Sequence, residues 1–457
     1  MKTTVIGTGY LGAVHAACMA ELGHDVLGVD VDTRKITALA EGRAPFFEPG
    51  LPEVLARGTA SGRLRFSTSL EEAAEHGDVH FVCVGTPQQP GSQAADLTYV
   101  DAVVEGLVPY LRRPALLVGK STVPVGTTAR LTRLVERLAP AGVPVELAWN
   151  PEFLREGFAV QDTLHPDRLV VGVTSSSAED VLRELYADVL AAGTPWIATD
   201  PATAELVKVS ANAFLATKIS FINAVSEVCD ATGADVVSLA RAIGHDARIG
   251  HRFLSAGVGF GGGCLPKDIR AFMARAEELG AGDALAFLRE VDTVNTRARE
   301  RTVARARELV GGSLLGRRIA VLGAAFKPDS DDVRDSPALA VAAALHLQGA
   351  HVRVHDPEAL DNARPVFPAL GYAEDVETAL DGAELVLHLT EWRQYRELDP
   401  ELLRGLVDVP RVLDARNALD PAPWVAAGWG FAALGRPDAA PAPAAVTVPE
   451  VGLQPAA

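Results

Sequence analysis

Cysteine is scarce in this sequence. It occurs four times in 457 residues, and Cys18, Cys83, Cys229 and Cys264 lie far apart without any C-x-x-C pair. This spacing indicates neither a disulfide framework nor a zinc site, so we expect no bound metal. Cys18, Cys83 and Cys229 fall within helical or strand patterns, and we predict that they are packing residues.

Basic residues and long apolar runs are also in short supply. Lys and Arg number 42 against 59 Asp and Glu, and the net charge of −17 argues against nucleic acid or an anionic membrane as a partner. No apolar run is long enough to span a bilayer, and no signal peptide precedes the first strand pattern. We therefore expect a reducing cytoplasmic location and, from the length, two or three domains.

A nucleotide-binding fingerprint opens the chain. Residues 3–12 form a short apolar strand that runs into G-x-G-x-x-G at Gly7, Gly9 and Gly12. A helix and a second strand follow, ending at Asp30, 18 residues past Gly12. The glycines permit a tight turn and close approach of a pyrophosphate to the helix N-terminus, and an acid at this distance can bond the adenosine ribose. Because Asp30 would repel a 2′-phosphate, the sequence predicts NAD rather than NADP.

Short apolar runs alternate with helical patterns in two parts of the chain, which predicts an α/β fold. In the first part the runs predict a parallel sheet, whose polar strand tips, including Thr86 and residues 120–124, are expected to line a cofactor crevice. From Pro201 to about Thr232 the sequence predicts one helix of roughly 30 residues. A second α/β unit begins near Gly316 but lacks the fingerprint.

The predicted architecture is therefore two Rossmann-like, doubly wound domains joined by a long central helix. We predict an NAD-binding domain at residues 1–200, a central helical segment at 201–300 and a second Rossmann-like domain at 314–435. Residues 436–457 are rich in Ala and Pro and are expected to form a disordered tail.

One thiol stands in a setting that suggests reactivity. Cys264 ends the glycine run that begins at Gly259, and Lys267 and Asp268 follow within one helical turn. A cysteine presented by glycines can attack a carbonyl carbon and form a covalent intermediate. The alternative is a buried cysteine in a tight turn. The fingerprint at the other end of the chain favours the catalytic interpretation.

Two pairs of polar residues have helical spacing. Glu152 and Glu156 lie four residues apart, which predicts that they share one helical face, and Lys208 and Asn212 have the same spacing on the long helix. Solvated helix charges are the alternative for both pairs. Asn212 has apolar neighbours on either side, which argues against a wholly exposed face.

Together these motifs resemble the UDP-glucose/GDP-mannose dehydrogenase family from residue 1 to about 435. The resemblance implies a central dimerisation segment, a UDP-binding C-terminal domain, and NAD-dependent oxidation of UDP-glucose by a homodimer or larger homo-oligomer. GDP-mannose or UDP-N-acetylmannosamine is the alternative substrate. A hydroxyacid dehydrogenase that makes a single hydride transfer, or an NAD-binding sensor, is the alternative class.

The resemblance also assigns site residues. It implies Cys264 as the nucleophile, with Lys208, Asn212, Asp268, Glu152 and Thr122 as catalytic companions. The residues implied to contact NAD are Gly7, Gly9, Tyr10, Leu11, Gly12, Asp30, Lys35, Thr86, Thr122, Glu156, Lys267 and Arg334. Those implied to contact the nucleotide sugar are Glu152, Phe153, Leu154, Arg155, Glu156, Lys208, Asn212, Arg248, Phe253, Leu254, Ser255, Ala256, Gly257, Gly261, Lys327 and Arg416. One departure is visible, because Gly263 stands where the family loop usually has serine.

Oxidation of a primary alcohol to a carboxylate needs two hydride transfers, and the intermediate aldehyde must not escape. Attack by Cys264 would make a thiohemiacetal, the second transfer a thioester, and water would release the acid. Lys208 and Asn212 would stabilise oxyanion charge. Asp268 is expected to act as a proton acceptor, and Glu152 as the base for hydrolysis.

Overall fold

The computed structural model describes residues 1–440, so the predicted tail lies outside the described residues from position 441 onward. Residues 436–440 belong to the packed chain. Ala439 forms an isolated antiparallel bridge with Phe431, and Arg436 faces Asp235 at 3.6 Å. The second domain therefore extends a few residues beyond the predicted boundary at 435.

The first domain is built on an eight-stranded sheet with the order β3-β2-β1-β4-β5-β6-β7-β8 within residues 1–440. Its strands are β1 (Lys2–Ile6), β2 (Asp25–Val29), β3 (Leu64–Ser67), β4 (Val79–Val82), β5 (Ala115–Gly119), β6 (Val145–Trp149), β7 (Leu169–Gly172) and β8 (Trp196–Thr199). Its helices are α1 (Tyr10–Glu21), α2 (Thr33–Ala40), α3 (Leu51–Ala60), α4 (Leu70–His76), α5 (Thr98–Leu107), α6 (Thr127–Leu138), α7 (Ala159–Leu164), α8 (Ser176–Leu185) and α9 (Ala187–Ala191). Strands β1, β4 and β5 are wholly or almost wholly buried, as expected for the centre of a doubly wound sheet.

The prediction of a fully parallel sheet is wrong at one pairing. Strand β7 runs antiparallel to β6, with Trp149 opposite Gly172, while β7 and β8 are parallel to each other. Because β7 starts at the edge where β6 ends, the connection 150–168 stays at the carboxyl edge of the sheet. Ligands bind at that edge in open α/β sheets.

The long central helix α10 spans Pro201–Thr232, as predicted. Asp200 caps its start by accepting the Thr203 N–H at 2.9 Å, and Gly233 ends it with φ 73°. Its 32 residues extend over roughly 48 Å. It packs against the other central helices, which are α11 (Val236–Gly244), α12 (Leu265–Glu278) and α13 (Phe287–Leu309).

The second domain has a six-stranded, wholly parallel sheet with the order β11-β10-β9-β12-β13-β14 within the described range. Its strands are β9 (Arg318–Leu322), β10 (His351–His355), β11 (Gly371–Tyr372), β12 (Leu385–His388), β13 (Arg411–Asp414) and β14 (Gly430–Ala433). Its helices are α14 (Pro337–Leu347), α15 (Leu360–Val366), α16 (Val376–Leu380), α17 (Arg393–Arg396), α18 (Pro400–Leu403) and α19 (Pro421–Ala426). This order repeats that of the first six strands of the other sheet and is the Rossmann order.

The two Rossmann-like units differ at their first loop. Asp356 follows β10 as Asp30 follows β2, but Asp356 is only 3% exposed. Its carboxylate accepts the Ala324 and Ala325 N–H groups at 2.7 and 2.9 Å and the Trp392 indole N–H at 3.1 Å. Backbone groups that a pyrophosphate would need are thus bonded within the protein. The folds match the predicted class, and no helix in residues 1–440 has the length and apolar character to cross a bilayer.

Candidate active site

The fingerprint forms a tight crevice at the start of α1. Gly7 has φ 91°, and a side chain at Gly12 would bring its Cβ within 1.8 Å of the Gly7 carbonyl oxygen. The Asp30 carboxylate accepts the Thr8 N–H at 2.8 Å. A glycine-capped helix start leaves its first N–H groups available to an anion, so these residues fit the NAD that the sequence predicts.

Other predicted cofactor residues lie around this crevice. The Thr86 hydroxyl donates to the Thr122 carbonyl at 2.7 Å and joins the segments that follow β4 and β5. Lys35 lies on α2, one turn beyond Asp30. Leu11 packs at the edge of the first core.

Tyr10 connects the fingerprint to the connection that follows β6 through Glu48, a residue that sequence reasoning missed. The Tyr10 hydroxyl donates to the buried Glu48 carboxylate, which also accepts the Gly157 and Ala159 N–H groups at 2.6 and 2.7 Å. Burial raises the pKa of Glu48. Nothing in the local sequence around Glu48 signals this role.

The glycine run presents Cys264 as the N-cap of α12. Gly262 has φ 84° and lies against the Phe326 ring, where a Cβ would come within 2.8 Å. The Gly262 N–H donates to the Arg334 carbonyl at 3.0 Å, and the Phe260 N–H donates to Asn295 at 2.7 Å. The loop is therefore held by the second domain on one side and by α13 on the other. Cys264 is exposed, whereas the other three cysteines are buried as predicted.

Cys264 faces a cavity of about 560 Å³ that draws its walls from all three parts of the chain. Glu152 and Phe153 come from the connection after β6, Lys208 from α10 and Lys327 from the second domain. The cavity is large enough for a sugar nucleotide.

Four charged or polar groups that the sequence predicts as companions surround the thiol in two linked pairs. Lys208 Nζ lies 3.0 Å from Glu152 Oε1. The Asp268 carboxylate accepts the Asn212 side-chain N–H at 2.7 Å and pairs with Lys267 Nζ at 2.5 Å. Lys208, Asn212 and Asp268 are buried. Buried charges in such pairs are held in fixed positions by their partners.

The electrostatics keep Cys264 protonated in this state. Burial by the surrounding protein raises the pKa of the Cys264 thiol to about 12, and the Asp268 carboxylate adds to the increase while Lys208 opposes it. The sulfur is open to the cavity, yet protein encloses that cavity on most sides. Burial alone would lower the pKa of Lys208, but Glu152, Cys264 and Asp268 together outweigh it and raise the pKa. Lys208 is thus a cation beside a neutral thiol at neutral pH.

The prediction that Glu152 and Glu156 share a helical face is wrong. Residues 150–158 form no helix, and the two carboxylates have different partners. Glu152 Oε2 accepts the Leu154 N–H at 2.6 Å, while its other oxygen faces Lys208. Long-range pairing therefore determines the shape of this segment.

Glu156 joins the two domains. Its carboxylate accepts the Ser330 hydroxyl at 3.0 Å and lies 3.4 Å from Arg334, while Lys327 donates to its carbonyl. Burial raises the pKa of Glu156 to about 7, with the Asp332 carboxylate adding to the increase. Arg334 and Lys327 are thus placed at the junction of cofactor crevice and cavity.

The aromatic ring of Phe153 lies between two cations. The Arg168 guanidinium is 3.8 Å from the ring centroid, and Lys208 Nζ is 5.6 Å from it. Arg155 points the other way and pairs with Asp162 at 2.6 Å. Leu154 completes this wall of the cavity.

The structure does not bring all predicted sugar contacts to the cavity. Phe253 and Gly261 line it, but Leu254, Ala256 and Gly257 are buried behind it, and Ser255 is exposed without lining it. Arg248 is 89% exposed and pairs with Asp246 at 2.6 Å, outside the cavity of its own chain. Arg416 braces the loops by donating to the carbonyls of Gly259, Phe326 and Leu389 at 3.1, 3.0 and 2.7 Å.

The comparisons with known proteins agree with this geometry. Models of the UDP-glucose/GDP-mannose dehydrogenase family match its NAD binding domain at residues 1–190, its central domain at 202–297 and its UDP binding domain at 320–421. The chain is 42% identical over 443 residues to the UDP-glucose 6-dehydrogenase of Rhizobium meliloti, covering 96% of this chain and 100% of that protein.

Two solved structures extend the similarity. A UDP-glucose dehydrogenase from the hyperthermophilic archaeon Pyrobaculum islandicum has a TM-score of 0.85 and 42% identity, covering 92% of this chain and 95% of that chain. A UDP-D-ManNAc dehydrogenase from Pyrococcus horikoshii has a TM-score of 0.83 and 26% identity, covering 95% and 99%. Within residues 1–440 no group of three or more His, Cys, Asp or Glu side chains is arranged to hold a metal ion.

Proposed function

We infer the function from one premise: this chain belongs to the UDP-glucose/GDP-mannose dehydrogenase family. It is an NAD-dependent nucleotide-sugar dehydrogenase that oxidises UDP-glucose to UDP-glucuronate. The observation that carries this conclusion is the exposed Cys264 thiol among buried charged groups in the cavity. A single hydride transfer would need no thiol, whereas a four-electron oxidation needs a group that retains the aldehyde.

We propose that Cys264 attacks the C6 aldehyde and forms a thiohemiacetal. NAD, when bound in the glycine crevice, accepts the hydride in each of the two oxidation steps. Since the thiol is neutral, it loses its proton as it attacks, and Asp268 is the proposed acceptor. The Asp268 oxygens bond Lys267 and Asn212, but each carboxylate oxygen has a second lone pair for a proton or a water molecule.

The remaining roles divide between stabilising charge and releasing product. Lys208 and Asn212 would stabilise the alkoxide of the thiohemiacetal, since one is a buried cation and the other an amide donor at the same cavity. Glu152 is the proposed base for hydrolysis of the thioester, and Thr122 would help to hold the water. GDP-mannose and UDP-N-acetylmannosamine remain weaker alternatives. The Pyrococcus horikoshii enzyme named for a ManNAc substrate shares the fold at 26% identity, against 42% for relatives named for UDP-glucose.

We propose the domain assignment that the sequence predicts, with NAD at residues 1–200 and the UDP group at 314–435. Its support is the contrast between Asp30 at an open crevice and Asp356, which occupies the N–H groups of its own loop. Lys327, in the second domain, reaches the cavity instead.

We also propose a homodimer in the cytoplasm. Phe214, Phe221 and Val228 lie seven residues apart on α10 and are 67%, 55% and 61% exposed in the single chain. Residues at this spacing form one stripe along a helix, and a second copy is the proposed cover. A reducing compartment would keep Cys264 as the thiol that the mechanism requires.

The stoichiometry of NADH tests the function. We expect two NADH per UDP-glucose consumed, against one for a hydroxyacid dehydrogenase type of reaction and none for a sensor. Cys264→Ser should bind NAD and UDP-glucose with unchanged affinity but lower kcat by at least about 1,000-fold, because covalent capture is lost. Calorimetry on the variant provides the binding control. Near-normal turnover of Cys264→Ser would contradict the thiol mechanism.

A further inference from the structure

The floor of the cavity carries a lysine that the proposed chemistry does not use. Lys120 follows β5, is buried, and lines the cavity together with His15 and Tyr186. Within the part of the chain that the structure describes, its hydrogen bonds go to one residue, Asn150. The ammonium donates to the side-chain oxygen at 3.1 Å and approaches the carbonyl at 3.5 Å.

Asn150 is fixed from every side. It is fully buried, its N–H donates to the Gly119 carbonyl at 2.8 Å, and its side-chain N–H donates to the Val170 carbonyl at 2.8 Å. Its side-chain oxygen accepts from both Lys120 and the Tyr186 hydroxyl, the latter at 2.8 Å. These bonds lock the end of β6 to the neighbouring strands, at the point where the functional connection begins.

The locked residue lies two positions before Glu152. Pro151, which stands between them, is buried and has a restricted backbone. The Glu152 carboxylate bonds Lys208 and the Leu154 N–H, so its position depends on where the chain leaves β6. A shift of Asn150 would move the carboxylate relative to Cys264, and small misplacements of a catalytic group are costly.

An ammonium is an expensive way to hold an asparagine. Burial lowers the pKa of Lys120, and a buried cation without an anionic partner costs several kcal/mol on the order of its desolvation. The floor is polar in a second place. His15 Nε2 is buried and has no hydrogen-bond partner within residues 1–440. A cation and a ring nitrogen at one cavity suit a small polar occupant such as water.

We propose that Lys120 is a positioning residue that holds Glu152, through Asn150, for the hydrolysis of the thioester. The proposal rests on the proposed function. In this step a water molecule gives one proton to Glu152 while its oxygen bonds the acyl carbon. The carbon–sulfur bond breaks, and the electron pair stays on Cys264, which regains a proton as the carboxylic acid leaves. No electron acceptor takes part, so the step is separable from the two oxidations.

Lys120→Met tests this, because Met fills similar volume without the charge. Rapid mixing with NAD and UDP-glucose should give a burst of two NADH per site, followed by steady turnover about 10- to 100-fold slower than in the parent enzyme. Acid-quenched protein should carry the mass of a UDP-glucuronyl group on Cys264. The KM values of NAD and UDP-glucose should change less than about threefold, since neither binding wall is altered.

Tyr186→Phe is the matched variant, because it removes the other donor to the same Asn150 oxygen and keeps the cation. It should show the same burst with a smaller decrease in steady turnover, about two- to fivefold. If Lys120→Met does not fold, Tyr186→Phe alone decides, and absence of the burst there overturns the proposal. An equal loss of burst and steady rate in Lys120→Met, without the adduct, also overturns it. A parent enzyme that does not form two NADH would instead refute the proposed function.

Discussion

At the scale of single residues, the departure at Gly263 has a structural counterpart. A Cβ placed on Gly263 would lie 2.4 Å from the guanidinium carbon of Arg334. Asp332 holds this guanidinium at 2.6 Å, and Glu156 lies 3.4 Å from it. The missing side chain therefore leaves room for an arginine that is a proposed NAD contact.

We predict that Gly263→Ser displaces the Arg334 guanidinium and raises the KM of NAD about two- to tenfold, equivalent to about 0.4–1.4 kcal/mol. The kcat should change less, because the thiol and its charged companions stay in place. Steady-state kinetics at saturating UDP-glucose measures both values. Gly263→Ala, which adds the Cβ without the hydroxyl, should behave alike. An unchanged KM of NAD in both variants would show that Arg334 moves aside without consequence.

Glu156 should make stability depend on pH. Its pKa is about 7 in the folded protein against an ordinary 4.5, so between these values the folded protein binds more protons than the unfolded chain. Stability therefore falls as pH rises from about 5 to 7.5, by on the order of 1–3 kcal/mol. Glu156→Gln should remove this loss, so the variant should gain thermal stability relative to the parent at pH 8 but not at pH 5. Scanning calorimetry at both values measures it, and parallel curves would contradict it.

At the scale of secondary structure, sequence patterns predicted the interior better than the edges. All central strands and both ends of α10 follow from apolar runs and from the signals at Asp200 and Gly233. The strands that sequence reasoning missed are β3, β8, β11 and β14. These are the four edge strands of the two sheets. An edge strand has one paired side and is often short, so its apolar pattern is weak.

The segment after β6 shows why some site geometry could not be predicted. Four-residue spacing predicted a helix for Glu152 and Glu156, but Lys208 and Arg334, which pair with them, are distant in sequence. The order of motifs did predict that Cys264, Lys208, Asn212, Asp268 and Glu152 would gather. Their mutual distances, and the Lys120–Asn150–Tyr186 contacts, depend on tertiary packing that no local pattern contains.

The long helix α10 serves two functions on opposite faces. Its buried face carries Lys208 and Asn212 into the cavity, while Phe214 and Phe221 on the other face are exposed in the single chain. A helix with polar residues buried and aromatic residues outside reverses the usual pattern for a single chain. The reversal is consistent with a second copy that covers the outer face and with an active site close to that cover.

At the scale of the whole molecule, Arg248 is the residue whose place the single chain does not explain. It follows α11, pairs with Asp246 and lies outside its own cavity, although the neighbouring Phe253 lines that cavity. An exposed pair of this kind contributes little to stability, about 0–1 kcal/mol. A guanidinium is well suited to bond a sugar hydroxyl or phosphate, and in a dimer it could reach the partner's cavity.

We therefore predict that each active site combines Cys264 of one subunit with Arg248 of the other. Arg248→Ala and Cys264→Ser homodimers should both be nearly inactive. A heterodimer of the two, purified through different tags, should recover up to about half of the parent activity, because one of its two sites then has an intact thiol and an intact arginine from opposite chains. Each variant mixed with itself is the control for the purification. If verified heterodimers stay inactive, Arg248 acts within its own subunit or only in its pair with Asp246, since no site in them would then be complete.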